Sequence, residues 1–317
     1  MSRILIVTPA PPGSRKGNRI TANRWAGMLR SLGHSATIRE SFQNEPCDVL
    51  IALHARKSAA DVKRFRLSHP SGVLVVALTG TDLYGDIHKS RAAQKSLQLA
   101  DRLVVLQPHG KEELSSELHE KVRVVVQSAE APAKRPQPLR QVFEICVSGH
   151  LRPVKDPLRA ACAARKLPAR SRIRITQIGA ALTESMETQA DRETQINERY
   201  RWLGEVPPSR AKRILARSRL LVLSSKMEGG ANVVSEALAA GVPVLCSRIS
   251  GSIGLLGEDY SGYFEVGNTV GLTELMLKCE QDKSFLTLLR DQCRKKASLV
   301  MPECERESLR KLIGELS

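Results

Sequence analysis

Leu220-Leu-Val-Leu-Ser-Ser-Lys226-Met-Glu-Gly-Gly-Ala-Asn-Val-Val-Ser-Glu236-Ala-Leu-Ala-Ala-Gly-Val-Pro-Val-Leu245 is the stretch that decides the fold. Its opening apolar run has the length and continuity of a parallel strand buried on both faces. Two glycines then lead into a helical stretch that Gly241 closes, and a second strand follows at Pro243-Val-Leu245. Strand, glycine turn, helix, strand is the repeating unit of a doubly wound α/β sheet. Gly229 and Gly230 let a ligand approach the main chain. The N–H groups at the helix start, around Ala231, Asn232 and Val233, favour an anion, and a diphosphate is the natural guest. Glu228 lies just before that anion site and Glu236 about two turns into the helix. Carboxylates accept hydrogen bonds from hydroxyls, so one on each side of a diphosphate suits a nucleotide sugar, ribose at one and hexose at the other.

Two glutamates so spaced in a Gly-Gly setting, followed by Glu236-Ala-Leu-Ala-Ala-Gly-Val-Pro-Val244, resemble the donor site of the family-4 glycosyltransferases of GT-B fold. The resemblance implies that Glu228 holds donor hexose hydroxyls and Glu236 the ribose, with a UDP-sugar as co-substrate and no separate cofactor. Ser148-Gly-His-Leu-Arg-Pro-Val-Lys-Asp-Pro157 resembles the family's Gly-Arg-Leu-x-x-x-Lys-Gly segment, whose Arg and Lys neutralise the donor diphosphate. Gly149 and Lys155 match that pattern. His150 stands at the arginine position and Asp156 at the second glycine. Arg152 offers a guanidinium that can bind phosphate oxygens bidentately, so either His150 or Arg152 takes the place of the family arginine. Fixed cations of this kind stabilise a departing UDP without a metal, and the chain has no D-x-D motif to hold one.

The second distinctive passage is Thr8-Pro-Ala-Pro-Pro-Gly13-Ser-Arg-Lys-Gly17-Asn-Arg19, between the first strand and the first helix. It matches neither G-x-G-x-x-G nor the P-loop, so dinucleotide and NTPase readings fail on spacing. Arg15, Lys16 and Arg19, set among Gly13 and Gly17, concentrate cations in one turn and point to an anionic acceptor. The same loop can equally serve the donor diphosphate or be a solvated basic turn. His54 ends the strand Asp48–Leu53 and precedes Arg56 and Lys57; Gly80-Thr81-Asp82-Leu83 follows the strand Val73–Leu78. Ligands of doubly wound sheets collect beyond the carboxyl ends of strands, which makes His54 a candidate catalytic group and Asp82 a candidate acceptor contact. A lone histidine is also a common structural residue.

Composition is compatible with a two-domain enzyme. The chain has 317 residues, enough for two α/β domains that each bury a core. Six strands are expected at 3–8, 35–39, 48–53, 73–78, 102–106 and 122–126, and six more at 142–148, 172–178, 200–203, 219–224, 243–247 and 262–266. The clearest helix of the first half is Asn18–Ser31, closed by Gly33. Pro132, Pro136 and Pro138 mark a linker. The expected organisation is an acceptor-side Rossmann-like domain over 1–138 and a nucleotide-sugar-binding domain over 139–300, facing a central cleft. Amphipathic helices at 284–299 and 303–316 follow, the second (within 301–317) crossing back to the first domain.

The net charge of +16 is spread along the chain: residues 1–137 hold 21 Lys/Arg against 12 Asp/Glu, the remainder 28 against 21. Aromatics are only 3% and no reader module is visible, which argues against nucleic acid. The apolar runs are of strand length and the N-terminus lacks a signal peptide, so a cytoplasmic protein without membrane insertion is expected. Seven scattered cysteines without a C-x-x-C pair suit neither a disulfide framework nor zinc, and most should be small buried residues.

The loop 9–19, Gly80-Thr-Asp-Leu-Tyr84, Gly149–Pro157 and Met227–Glu236 together resemble one subgroup, the selenosugar synthases of selenoneine biosynthesis. That resemblance implies transfer of the hexose of a UDP-sugar, chiefly UDP-N-acetylglucosamine, to selenophosphate with formation of a carbon–selenium bond. The alternatives are a family-4 enzyme with an ordinary sugar or lipid acceptor and, from a different class, a nucleotide-sugar sensor or nucleic-acid binder.

Overall fold

The computed structural model describes residues 1–80 and 82–316. Among these, twelve strands form two six-stranded sheets, parallel throughout. The first contains β1 (Arg3–Val7), β2 (Ser35–Arg39), β3 (Val49–Leu53), β4 (Val73–Leu78), β5 (Arg102–Val105) and β6 (Val122–Val124), in the order β2-β1-β3-β4-β5-β6. The second contains β7 (Phe143–Ser148), β8 (Ile173–Ile178), β9 (Tyr200–Trp202), β10 (Leu220–Leu223), β11 (Val244–Ser247) and β12 (Tyr263–Phe264), in the order β12-β11-β10-β7-β8-β9. Every strand lies within its expected span. The reason is visible in β3 and β10, which are buried at every position: a parallel sheet covered on both faces demands uninterrupted apolar runs.

The order of strands determines where loops gather. In the first sheet the chain turns one way from β1 to β2 and the other way from β3 onward. In the second it turns one way from β7 to β8 and β9 and the other from β10 to β11 and β12. The loops after β1 and β3, and those after β7 and β10, therefore flank the two switch points where doubly wound sheets bind ligands.

The chain divides into two compact units: Met1–Gln127 with the segment from Pro302 onward, and Ser128–Met301. The proline-bearing residues 128–138 go with the second unit, where Ala129 N donates to Val300 O (2.9 Å) and Arg135 Nε to Ala216 O (3.3 Å). In the first unit the helix Gly17–Ser31 buries Thr21, Ala22, Trp25, Ala26 and Leu29, the spacing of one helical face. Gly33 ends it at φ +87°, a left-handed turn that glycine adopts without steric cost. The helix Pro302–Gly314 adds Leu309, Leu312 and Ile313 to the same core as Ile4, Trp25 and Leu29. Its buried Glu305 accepts from Arg24 Nε (2.8 Å) and Trp25 Nε1 (2.7 Å), so the charge entering that core arrives with two donors.

The expected helix at 284–299 is the helix Lys283–Lys296 followed by a 3-10 turn, Ala297–Val300. Five of the seven cysteines are buried, Cys162 is half-buried and Cys304 exposed. No helix among the described residues is long and apolar enough to cross a membrane.

Candidate active site

In the second unit, β10 delivers the chain to Ser224 and Ser225, and the loop runs through Glu228, Gly229 and Gly230 to Ala231 before the helix Asn232–Ala239 begins. Gly229 and Gly230 stay outside the helix. Glu236 therefore stands only about one turn inside it, not two as the sequence had suggested. Ala231 occupies the N-cap and has no side-chain oxygen to cap the first turn, the arrangement that favours an external anion.

Glu228 is buried, and its carboxylate accepts hydrogen bonds from Lys155 Nζ and Ser225 Oγ (2.5 Å). Lys155 closes the 3-10 turn Pro153–Lys155 that follows β7, and two hydrogen bonds, one from a main-chain N–H and one from a side-chain hydroxyl, hold that turn to the β10 loop. Lys226 N donates to Val154 O (2.9 Å), and Ser224 Oγ to Asp156 O (2.8 Å). A small pocket at the carboxyl ends of β7 and β10 is lined by Ser148, Gly149, Lys155, Pro157, Ser224 and Ser225 among others. Glu228 and Lys155, assigned from separate motifs, thus belong to one constellation.

Asp156 stands where the family pattern has glycine, and its backbone is left-handed, φ 43° and ψ 52°. Aspartate tolerates that region better than most residues, and here its side chain is also held by Arg159 Nε (2.7 Å). The turn keeps the glycine geometry without the glycine. Arg152 is half-buried and its side chain makes no hydrogen bond or ion pair among the described residues, which leaves its guanidinium available. His150 is also half-buried, and its Nδ1 is a buried atom without a hydrogen-bond partner. Gly149 sits at φ +152°, and the neighbouring Gly179 comes so close that a Cβ there would lie 2.1 Å from Gly149 O.

One site residue escapes sequence reasoning. A Cβ on Gly251, at the start of the helix Ser250–Leu256, would lie 2.0 Å from Glu228 O. Gly251 is what allows that helix to press against the Glu228 turn. The only signal is Ser250-Gly-Ser252 after a strand, and contact with Glu228 is not local in sequence. Glu236 is half-buried; burial pushes the Cys146 thiol on β7 up, with the Glu144 and Glu236 carboxylates adding to the shift.

In the first unit, the loop after β1 places Gly13 at φ +76° and Lys16 at the N-cap of the helix that Gly17 begins. Arg15, Lys16 and Gly17 are exposed. Arg19 is not: it is buried, and its Nη1 donates to Ala10 O (3.5 Å), so this cation braces its own loop.

His54 follows β3 directly, at φ 80°, a left-handed conformation that is uncommon outside glycine. It is buried, with Nδ1 3.8 Å from Asp82 Oδ2 and Nε2 3.8 Å from Asp86 Oδ2. Nδ1 accepts from Lys57 N (3.4 Å), which assigns the neutral ring's proton to Nε2, and Nε2 has no hydrogen-bond partner. Burial holds the imidazole below its ordinary pKa, against the opposing pull of Asp82. Asp82 opens the π-helical turn Asp82–Asp86 and accepts from Gly80 N (2.9 Å) and Ala55 N (3.0 Å), knitting the loops after β3 and β4 together. Thr81 of this segment lies outside the described residues.

The family description "Glycosyl transferases group 1" matches residues 130–299, more than half of the chain. The chain belongs to the group 1 glycosyl transferases. Solved structures agree in fold. This glycosyl transferase resembles HepE from Anabaena, solved in complex with UDP-glucose, with a TM-score of 0.81 and 15% identity over 99% of this chain and 100% of that one. It also resembles the sucrose-phosphate synthase from Thermosynechococcus elongatus, with a TM-score of 0.78 and 14% identity over 99% and 98% of the two chains. A lipopolysaccharide outer core galactosyltransferase, WaaB, aligns with a TM-score of 0.70 and 12% identity over 99% of each chain. These likenesses bear out the GT-B fold; a comparison with curated protein sequences finds no match.

Proposed function

We propose that this glycosyl transferase takes a UDP-sugar, chiefly UDP-N-acetylglucosamine, and transfers its hexose to selenophosphate. The observation that carries the donor half is the Glu228–Lys155–Ser225 constellation beside a helix N-terminus without a side-chain cap. Glu228 accepts from hexose hydroxyls, Glu236 from the ribose, and Lys155 with Arg152 faces the diphosphate. Gly229, Gly230 and the first-turn N–H groups accommodate the phosphates. The solved complex of HepE with UDP-glucose supports this choice of donor class.

In the transfer, a selenium lone pair forms the bond to the anomeric carbon while the bond from that carbon to the β-phosphate oxygen breaks, its electron pair leaving with UDP. The charge that UDP gains is met by Lys155 and Arg152, fixed before the reaction begins, so no metal is needed. Selenophosphate is already anionic and strongly nucleophilic, so it requires positioning more than deprotonation. The exposed Arg15 and Lys16 supply the cations for it, and the likeness of four segments to the selenosugar synthases supports selenium as the attacking atom. Incubation with UDP-N-acetylglucosamine and selenophosphate, followed by mass spectrometry, should show UDP and a hexose bearing selenium, with the phosphoryl group still on selenium or, after water cleaves the P–Se bond, released as phosphate. Turnover with a sugar or lipid alcohol and none with selenophosphate would replace this reading with an ordinary family-4 transfer.

A further inference from the structure

The second unit also carries a groove away from the candidate active site. A groove of about 780 Å³ is lined by Arg174, Arg199, Arg201, Arg210, Arg213 and Arg217, with Glu144 and Glu198 as its two carboxylates. It shares no lining residue with the pocket at the ends of β7 and β10. Its floor is the face of β7, β8 and β9 on which the register pairs Glu144 with Arg174 and Thr176 with Arg201. Its wall is the helix Pro208–Arg217, which contributes three of the arginines.

Two of the six cations are committed to the fold. Arg217 is clamped by Glu144 through Nε (2.7 Å) and Nη2 (2.8 Å). Arg199 donates to main-chain oxygens of Ser171 (2.5 Å), Pro168 (3.0 Å) and Ala169 (3.1 Å). The side chains of Arg174, Arg201, Arg210 and Arg213 make no hydrogen bond or ion pair among the described residues, although they share one concavity. Like charges gathered this way repel, and the repulsion is relieved by an anion of matching charge. Four guanidinium forks correspond to two phosphoryl groups, each taken bidentately.

We propose that this groove is a second anion site, which binds a small free ligand carrying two or more phosphoryl groups. Single-stranded nucleic acid needs exposed aromatic platforms, and the one aromatic residue of the lining, Tyr200, is 3% exposed. A lipid headgroup offers the same phosphate chemistry, and since Arg174, Arg201, Arg210 and Arg213 are exposed, the two sources are separated by experiment. The proposal is independent of the donor and acceptor assignments above.

Calorimetric titration with inorganic pyrophosphate tests it, using wild type, R174A/R213A, R201A/R210A and K155A. The expected result is a binding event, weakening with salt, that wild type and K155A share. Each double variant should lose affinity by about tenfold or more while keeping the wild-type melting temperature. Absence of binding to wild type overturns the proposal, as does undiminished binding to both double variants or a loss in K155A equal to theirs. Sedimentation with vesicles of phosphatidylglycerol separates the sources: arginine-dependent vesicle binding without pyrophosphate binding also overturns it.

Discussion

Lys155 Nζ and the Glu228 carboxylate, 73 residues apart in the chain, form an ion pair that joins the turn after β7 to the loop after β10. On the proposed donor assignment each group also contacts substrate, and that has a direct consequence for mutation. On that assignment, Glu228→Gln would remove the charged acceptor for the hexose and release Lys155 toward the diphosphate. Turnover should fall by about one to two powers of ten, the effect of about 1.5–3 kcal/mol for a charged hydrogen bond, while UDP affinity is kept or raised. Steady-state kinetics and UDP titration check both halves; unchanged kcat would remove Glu228 from the hexose.

Glu236→Gln should act differently. Its carboxylate is assigned to ribose, so UDP itself should bind about ten- to a hundredfold more weakly, by the same conversion. Equal UDP affinity in wild type and variant rejects the ribose assignment.

Gly251→Ala tests the packing behind the donor loop. A methyl group there would lie 2.0 Å from Glu228 O, a distance that forces the turn or the helix Ser250–Leu256 to move. Since a misplacement of about 1 Å can cost about a hundredfold in rate, kcat/KM for the UDP-sugar should collapse although Gly251 contributes no functional group. Full activity in the variant would mean that the Glu228 turn tolerates displacement.

Arg15→Ala and Lys16→Ala separate acceptor from donor. If the loop after β1 holds an anionic acceptor, kcat/KM for selenophosphate should fall by about tenfold or more in each variant with UDP affinity unchanged. An equal fall in both quantities would assign the loop to the donor diphosphate.

His54 gives a pH signature. Its folded pKa lies below the unfolded value of about 6.5, so the unfolded chain binds more protons in the window just below that value. Stability from this group is fully present above pH of about 6.5 and is lost as pH falls toward the folded pKa. His54→Asn keeps a residue that tolerates φ 80° and should flatten this acid limb in denaturant titrations. An identical limb in the variant would show that His54 does not set it.

The strands were legible because buried parallel strands leave long apolar runs, as at Val49–Leu53 and Leu220–Leu223. The glycine loop proposed for the donor was legible as a strand-to-helix turn because its glycines, glutamates and helix start lie within nine residues, Glu228–Glu236. What stayed hidden depends on contacts across the chain or on backbone geometry. The role of Gly251 needs the approach of a separate helix, and Arg19 looks like a ligand cation until it folds back on Ala10. Asp156 reads as a departure from the family glycine, yet its left-handed backbone preserves the turn. The arginine groove draws on positions scattered from Leu139 to Arg217, which no local motif connects.

The return of the last helix to the first unit sets an order on synthesis. Ser128–Met301 is continuous and closes its core without a segment from elsewhere in the chain. The N-terminal unit, made first, must wait for Leu309, Leu312 and Ile313, and for Glu305 to meet Arg24 and Trp25. A released chain truncated before Pro302 should therefore carry a protease-resistant second unit and a first unit that is still open to proteolysis.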